Sequence, residues 1–423
     1  MKSKLEWIYF FFVLCSVSGA IGRIFGGQFA PQAGGTNTTA LSSGDSDPIL
    51  FLFSLAIAGA TLVLCFSKLP SVLALLKSLR WLTGLYALVA VSILWSADRV
   101  STFRGAAYLL IYLAAAIYIA MRFSSEEILI GLRKTVVLLA LLSIIGQFLL
   151  PPSGDPAPGW TGVFPQKNDL GIVMAVGFAV LLVQRARWNL ARVALLALCA
   201  TLLILSQSFT SILAALAVVA AVTYLHCSGA LKLLVLMTVA GTGLLIVFAA
   251  SDVAGTLEFT GKDMTLTGRT LIWSLVAESM KEHAVLGYGY NAFWTSQADV
   301  INQFSTWHPG QAHNGYLDIC LNLGAIGLCL TVGLIFDSWR RGRRLRLQGR
   351  NAGVWMLAAL WLLLVRSCAE STFLNLSFIW FVVLMSYLSC WKEEFGATHD
   401  FLVALAHYNA EAYLPRPASG VTF

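Results

Sequence analysis

Long apolar runs separated by short polar breaks fill most of the chain. Apolar cores lie at Trp7–Ile21, Ile49–Phe66, Trp81–Trp95, Ala106–Ala120, Val136–Leu150 and Leu170–Val183. More follow at Val193–Leu205, Ile212–Leu225, Leu231–Ala250, Tyr316–Phe336, Val354–Val365 and Phe373–Leu388. These runs lack the period-two alternation of a membrane strand, so they predict helices. A span needs about 20 residues, and several cores are shorter, so their polar flanks must enter the interface or the bundle interior. The expectation is an all-α integral membrane protein of about twelve transmembrane helices. It forms one polytopic domain over residues 1–423, with no internal repeat.

One extramembrane piece stands out, Ser251–Ala312, expected as an outer loop between the ninth and tenth spans. Within it, Arg269–His283 reads as a short amphipathic helix, with Leu271, Ile272, Leu275, Val276 and Met280 on one face. Thr267 is the expected cap, and Gly287 with Gly289 closes the region. Gly26–Asp47, rich in Gly, Ser and Thr, reads as a flexible outer loop. Ser18-Gly19-Ala20 resembles a cleavage site, but the first span is read as retained.

Composition supports the bilayer. Apolar types make up 58% and charged residues 12%, against about 25% charged in a soluble domain. In lipid the backbone must satisfy its own hydrogen bonds, which helices do. The eight cysteines fall in or beside apolar runs and form no CxxC pair. They read as small buried apolar residues rather than disulfides or metal ligands.

The formal charge of +7 would suit nucleic acid, but its distribution fits the positive-inside rule instead. With the amino terminus cytoplasmic, 20 of the 28 basic residues fall inside, including the arginine run between Arg340 and Arg350. Both termini are then cytoplasmic, and the run reads as a stop-transfer anchor, with no nucleic-acid partner. The eight outer basic residues are Arg23, Arg99, Arg104, Lys167, Lys262, Arg269, Lys281 and Arg366. At membrane depth a charge costs about 2.5–3.5 kcal/mol, so one kept there is a functional candidate.

Helices running from outside to inside place positive dipole ends and free N–H groups at the outer face. Arg104 lies just before one such core, Lys167 before a second and His313 before a third, while Arg366 lies across a short turn from a fourth. If these ends pack together they make an outer cavity of positive potential, suited to a diphosphate.

Three segments carry candidate chemistry. In Gly162–Gly171 the ordinary reading of Lys167 is part of a turn, with Asn168 or Asp169 as N-cap. In Leu266–Trp273, Arg269 and Trp273 share a face one turn apart. They make either a surface cation–π pair or a phosphate and sugar contact. In Ala312–Asp318, His313 is either a simple cap or a general base, since an unperturbed histidine titrates near about 6.5. His308 and His313 do not make a credible metal site with the available carboxylates.

In order and spacing, these segments and the intervening His283–Trp294 stretch resemble the O-antigen ligase and polymerase (Wzy) superfamily. The resemblance spans Trp95 to Glu370. The Thr-Gly-Arg-Thr stretch at 267–270, Gly-Tyr-Gly-Tyr at 287–290 and His-Asn-Gly-Tyr at 313–316 look most like its exopolysaccharide-polymerase branch. The resemblance implies a metal-independent, GT-C-like helical glycosyltransferase without cofactor. Its donor would be an undecaprenyl-diphosphate-linked glycan and its active site periplasmic, in a bacterial inner membrane. A flippase and a chain-length regulator are the implied partners.

Carried onto this chain, the resemblance makes His313 and Arg269 catalytic, and Arg104, Lys167, Arg269 and Arg366 the diphosphate-binding set. Asn168, Trp273, Tyr288, Tyr290, Trp294, Asn314, Tyr316 and Glu370 would support the site or contact sugar; for the aromatic rings the alternative is interfacial anchoring. The glycosyl–phosphate bond is already activated, so fixed cations would stabilise the departing diphosphate while His313 takes the acceptor's proton and the anomeric centre inverts. One departure is Phe209, which stands in Gln207–Ser211 where many relatives have an arginine; a phosphate role for that turn is therefore not expected. The rival readings are an O-antigen ligase acting on lipid A core and, from another class, a small-anion transporter. A transporter should show paired halves and broken mid-membrane helices.

Overall fold

The computed structural model describes residues 2–25, 48–66, 69–153, 158–184, 189–226, 264–298, 301 and 310–412. Among them the fold is all-helical. In chain order the helices are α1 (Lys4–Val17), α2 (Ala20–Phe25), α3 (Pro48–Phe66), α4 (Leu69–Ser78) and α5 (Arg80–Val91). Next come α6 (Arg99–Arg122), α7 (Ser125–Leu149), α8 (Lys167–Val183), α9 (Leu190–Leu205) and α10 (Phe209–His226). The last are α11 (Met264–Glu282), α12 (Phe293–Ser296), α13 (Gly315–Leu347), α14 (Asn351–Ser367) and α15 (Phe378–Ala412). The expected span Leu231–Ala250, the Gly26–Asp47 loop, and residues 251–263, 299–300 and 302–309 of the outer loop lie outside the described residues.

Three described helices, Arg99–Arg122, Ser125–Leu149 and Gly315–Leu347, are long and apolar enough to cross a membrane. The chain is a membrane protein in composition and in surface. Helix α7 turns Leu138, Leu141, Ile145, Phe148 and Leu149 outward, an apolar stripe that water would not tolerate and lipid covers. Helix α8 is instead buried on nearly every side, and packs against α7, α9, α10 and α14. A helix apolar all round belongs at the centre of a bundle. Helices α14 and α15 join it there, and this core holds the polar site described below.

Polar caps set several helix starts that the apolar pattern did not reveal. The Asp98 carboxylate accepts from the Val100 and Ser101 N–H groups, so α6 begins at Arg99 and Arg104 lies inside it rather than before it. Helix α8 begins at Lys167, with Gln166 at the cap and no side-chain capping bond. Asn168 and Asp169 thus lie in its first turn, where Asn168 meets Glu370 and Asp169 faces Arg366. Helix α11 begins at Met264, which places Thr267 within it instead of capping it. Helix α15 begins at Phe378; the preceding turn stays irregular because Asn375 donates to the Ser371 carbonyl and Ser377 to that of Thr372.

Helix α13 is interrupted at Gly324, whose φ of 62° and ψ of −161° are not helical. The residues after α11 fill the break. Tyr288 and Gly289 donate N–H groups to the Leu321 and Asn322 carbonyls at 2.8 and 3.1 Å, and Ala325 donates to Ala284 at 2.9 Å. The interrupted backbone is thereby satisfied by protein. Only glycine fits, because a Cβ at this position would meet the Val285 carbonyl oxygen at 2.2 Å.

Basic residues gather at the other end of the bundle. Arg340 and Arg341 pair with Asp337, Arg341 also with Glu394, and Lys2 with Glu127. The Lys392 ammonium donates to the last carbonyls of α6, at Ala120, Met121 and Phe123. The cysteines depart in part from expectation. Cys199 and Cys390 are buried, but Cys329 and Cys368 are exposed. Apolar sequence surroundings mark a membrane helix without saying which of its faces meets lipid. Cys65 and Cys227 lie outside the residues whose side chains are described.

Candidate functional site

The geometry of the site starts at His313. Its backbone φ is 50°, in the left-handed region that histidine visits more readily than most residues. Gln207, Asn291 and Leu374 are the other non-glycine residues at positive φ among those described, and all lie in turns at the same end of the bundle. Such conformations persist only where surroundings over-determine them. Here Ala312, just before the histidine, is tied on both sides. Its N–H donates to the Asp318 carboxylate at 3.1 and 3.2 Å, and its carbonyl accepts the Trp273 indole N–H at 2.9 Å. Just after it, Asn314 caps α13, its side chain accepting from the Tyr316 and Leu317 N–H groups.

The His313 Nδ1 lies 3.5 Å from Glu370 Oε2, and Glu370 is buried. The other carboxylate oxygen accepts from Asn168 Nδ2 at 2.7 Å. Gln311 also approaches Nδ1, its amide nitrogen at 3.3 Å, while its buried Oε1 lacks a partner among the described residues. Amide orientation is set by the hydrogen-bond network, and turning Oε1 toward the ring would give Nδ1–H a second acceptor. Close approach of α13 to the 367–373 turn depends on Gly315, where a Cβ would meet a Phe373 ring carbon at 2.9 Å.

From Asn168 the network continues to the turn before α10. Ser208 donates to Asn168 Oδ1 at 2.8 Å and lies 2.9 Å from the Ser211 hydroxyl. Arg366, 5% exposed, donates through Nη1 to the Asn168 carbonyl at 2.9 Å and to Ser211 Oγ at 3.0 Å. Its Nη2 lies 3.9 Å from the Asp169 carboxylate, and its buried Nε has no partner among the described residues. A buried guanidinium thus sits against the uncapped N-terminus of α8, beside Lys167. The Lys167 ammonium donates to the Pro158 carbonyl at 3.0 Å.

The structure therefore joins Asn168, His313, Asn314, Arg366 and Glu370 in one cluster. Tyr316 borders it, its ring 5.1 Å from Phe373. Arg104 is exposed on α6, whose next residue, Gly105, packs against Tyr290. Arg269 lies in the first turns of α11, where side chains lie outside the described residues. The four aromatics expected to support the site or contact sugar all hydrogen-bond to neighbouring segments. Tyr290 is buried and donates to the Leu374 carbonyl at 2.6 Å. Tyr288 is buried, and burial and the neighbouring Glu282 carboxylate push its phenol above the usual range. Trp273 and Trp294 are half-buried and donate to Ala312 and Asp318. Helix α11 packs Ile272 and Val276 with Phe293 and Leu321.

Sequence reasoning assigned no role to Ser208, Ser211, Asp318, Gln311 or Ser371. Polar side chains kept inside so apolar a chain were the available signal. Around the start of α10, Ser206, Ser208 and Ser211 are buried while Phe209 points outward. Ser211, in the first turn of α10, accepts from Arg366 even though this stretch has no arginine of its own. Among the described residues, no three His, Cys, Asp or Glu side chains gather as metal ligands.

Two likenesses to known proteins bear on this arrangement. Residues 170–332 match the O-antigen ligase family, a range running from α8 to the middle of α13 and including His313. The chain is 27% identical over 340 residues to the exopolysaccharide production protein ExoQ of Rhizobium meliloti, covering 75% of this chain and 78% of that protein. The chain thus resembles the O-antigen ligase and polymerase superfamily, and within it the exopolysaccharide-production branch.

Proposed function

We propose that this protein joins undecaprenyl-diphosphate-linked repeat units into a surface or exopolysaccharide at the periplasmic face of an inner membrane. The reaction is a metal-independent, inverting glycosyl transfer. The observation that carries this reading is the His313–Glu370 pair, set beside a buried arginine at a helix N-terminus. A carboxylate at Nδ1 favours the tautomer in which Nε2 is the basic nitrogen. His313 then takes the proton of the acceptor hydroxyl as its oxygen attacks C1 of the donor sugar. The C1–O bond to phosphate breaks, and the diphosphate leaves on its lipid carrier.

The leaving group gains charge as the bond breaks, so fixed cations stabilise the transition state more than the ground state. Lys167, Arg269 and Arg104 supply that charge from the outer surface. Arg366, already engaged with Asn168 and Ser211, aligns the α8 N-terminus and adds its field from beneath. About twelve spans, both termini cytoplasmic and a periplasmic loop over residues 251–312 complete the reading. A flippase that delivers the lipid-linked units and a regulator of chain length are its partners.

The O-antigen ligase match favours one second reading, transfer of the finished glycan to lipid A core. A gel of products separates the two. Purified protein given lipid-linked repeat units alone should yield a ladder of lengthening glycans. One-step transfer seen only when lipid A core is added would make it a ligase. Neither product, with intact repeat units confirmed present, would contradict both and return attention to anion transport.

A further inference from the structure

We propose that Asp318 is the positioning residue of the His313–Glu370 pair. Its carboxylate ties the residue before the histidine to the residue after the glutamate. The inference rests on the reaction proposed above and assigns a role to a side chain that reaction does not use directly.

Asp318 lies in the first turns of α13 and is 8% exposed. It accepts the Ala312 N–H on both oxygens, at 3.2 and 3.1 Å. Oδ2 also accepts the Ser371 hydroxyl, and Oδ1 the Trp294 indole N–H at 3.1 Å. Among the described residues no lysine or arginine pairs with it. Burying a carboxylate with no lysine or arginine beside it is costly, and a purely structural role could be filled by an asparagine. An amide, however, presents an N–H in place of Oδ2, so the second bond from Ala312 is lost and the Ser371 hydroxyl must turn from donor to acceptor.

The two directions are the point of the arrangement. Ala312 precedes His313, whose φ of 50° must be held against its own preference. Ser371 follows Glu370 in an irregular turn with no helix to fix it. The two chain segments meet only through tertiary contact, and Asp318 is bonded to both. Loss of the clamp would let histidine and glutamate drift apart while leaving each in the site. Binding of the lipid-linked donor, at the α8 N-terminus and its cations, would be untouched.

The test is steady-state kinetics of Asp318→Asn with lipid-linked repeat units, in the full-length protein and again in a His313→Ala background. Asp318→Asn should lower kcat about tenfold to a hundredfold and leave KM for the donor within about twofold. In the His313→Ala background the same change should have no further effect. Ser371→Ala removes one arm of the clamp and should lower kcat by about threefold to tenfold, again without moving KM; it decides the matter if Asp318→Asn does not accumulate. Unchanged kcat, a loss confined to KM, or an equal loss with and without His313 would overturn the positioning role alone. A wild-type protein that turns over no lipid-linked repeat unit would overturn the proposed reaction, and this inference with it.

Discussion

His313 is held from three sides: by Glu370 at Nδ1, by the doubly bonded Ala312 before it, and by the Asn314 cap after it. Replacing Glu370 with Gln removes the charge and leaves the shape, and transfer should slow by about tenfold or more with donor binding retained. Comparison of kcat with KM checks this. On the proposed chemistry Arg269→Lys should be poorly tolerated, because lysine lacks the bidentate fork that grips a phosphate; near-normal polymer yield in that variant would count against the role. At this scale much was legible in the sequence. His313, Asn168, Arg366 and Glu370 could be picked out as polar residues at helix ends, and they do meet. Their wiring was not legible, since it depends on which helices adjoin. Ser208 and Ser211 look like ordinary residues of a helix start until Ser211 is seen to hold Arg366 and Ser208 to hold Asn168. Tyr288 and Tyr290 read from sequence as site support, sugar platforms or interfacial anchors; their hydroxyl bonds into the protein were not legible there.

Among the elements, α6 and α13 are placed by features the apolar pattern cannot carry. The Asp98 carboxylate caps α6 and also accepts from Thr295, which ties that helix to α12. Burial works to raise its pKa, but hydrogen bonds from Ser101, Thr295 and Val100 prevail and hold it below the usual carboxylate range. A depressed native pKa means the carboxylate stabilises the fold above its unfolded value, about 3.9. That contribution is lost as pH falls below this range through the native value. Wild type should therefore exceed Asp98→Asn in thermal midpoint near neutral pH, and the gap should close below about pH 4. In α13, Gly324→Ala should destabilise by about 1–3 kcal/mol, since the backbone is left-handed there and the new Cβ meets Val285. Thermal unfolding in detergent measures it. The apolar run Tyr316–Phe336 read as one span, and the break was hidden because a lone glycine in a membrane helix is common. What marks it is the Ala284–Asn291 segment docked against it, a contact distant in sequence.

Over the whole molecule, charge divides by end. Arg340 and Arg341 pair with Asp337 at one end, where Lys392 binds backbone carbonyls, while His313, Glu370 and Arg366 cluster at the other. On the positive-inside reading the first of these ends faces the cytoplasm. The interrupted α13 is a feature expected of transporters, and here its backbone is satisfied by the chain itself. Sidedness can be tested with Cys368, exposed beside Asn314, and a cysteine placed at Arg343, in a chain lacking the other cysteines. Burial pushes the Cys368 thiol up, so labelling is best done at mildly alkaline pH. An impermeant maleimide should reach Cys368 in spheroplasts and the cysteine at 343 only after lysis; the reverse order would invert the topology. The central claim is that His313 performs glycosyl transfer from a lipid-linked donor. Its most direct measurement is the rate of glycan ladder growth by wild type and His313→Ala, with donor binding measured in parallel. The account predicts equal binding and a rate lower by about a hundredfold to ten-thousandfold in the variant. A ladder growing at the wild-type rate without His313 would contradict it.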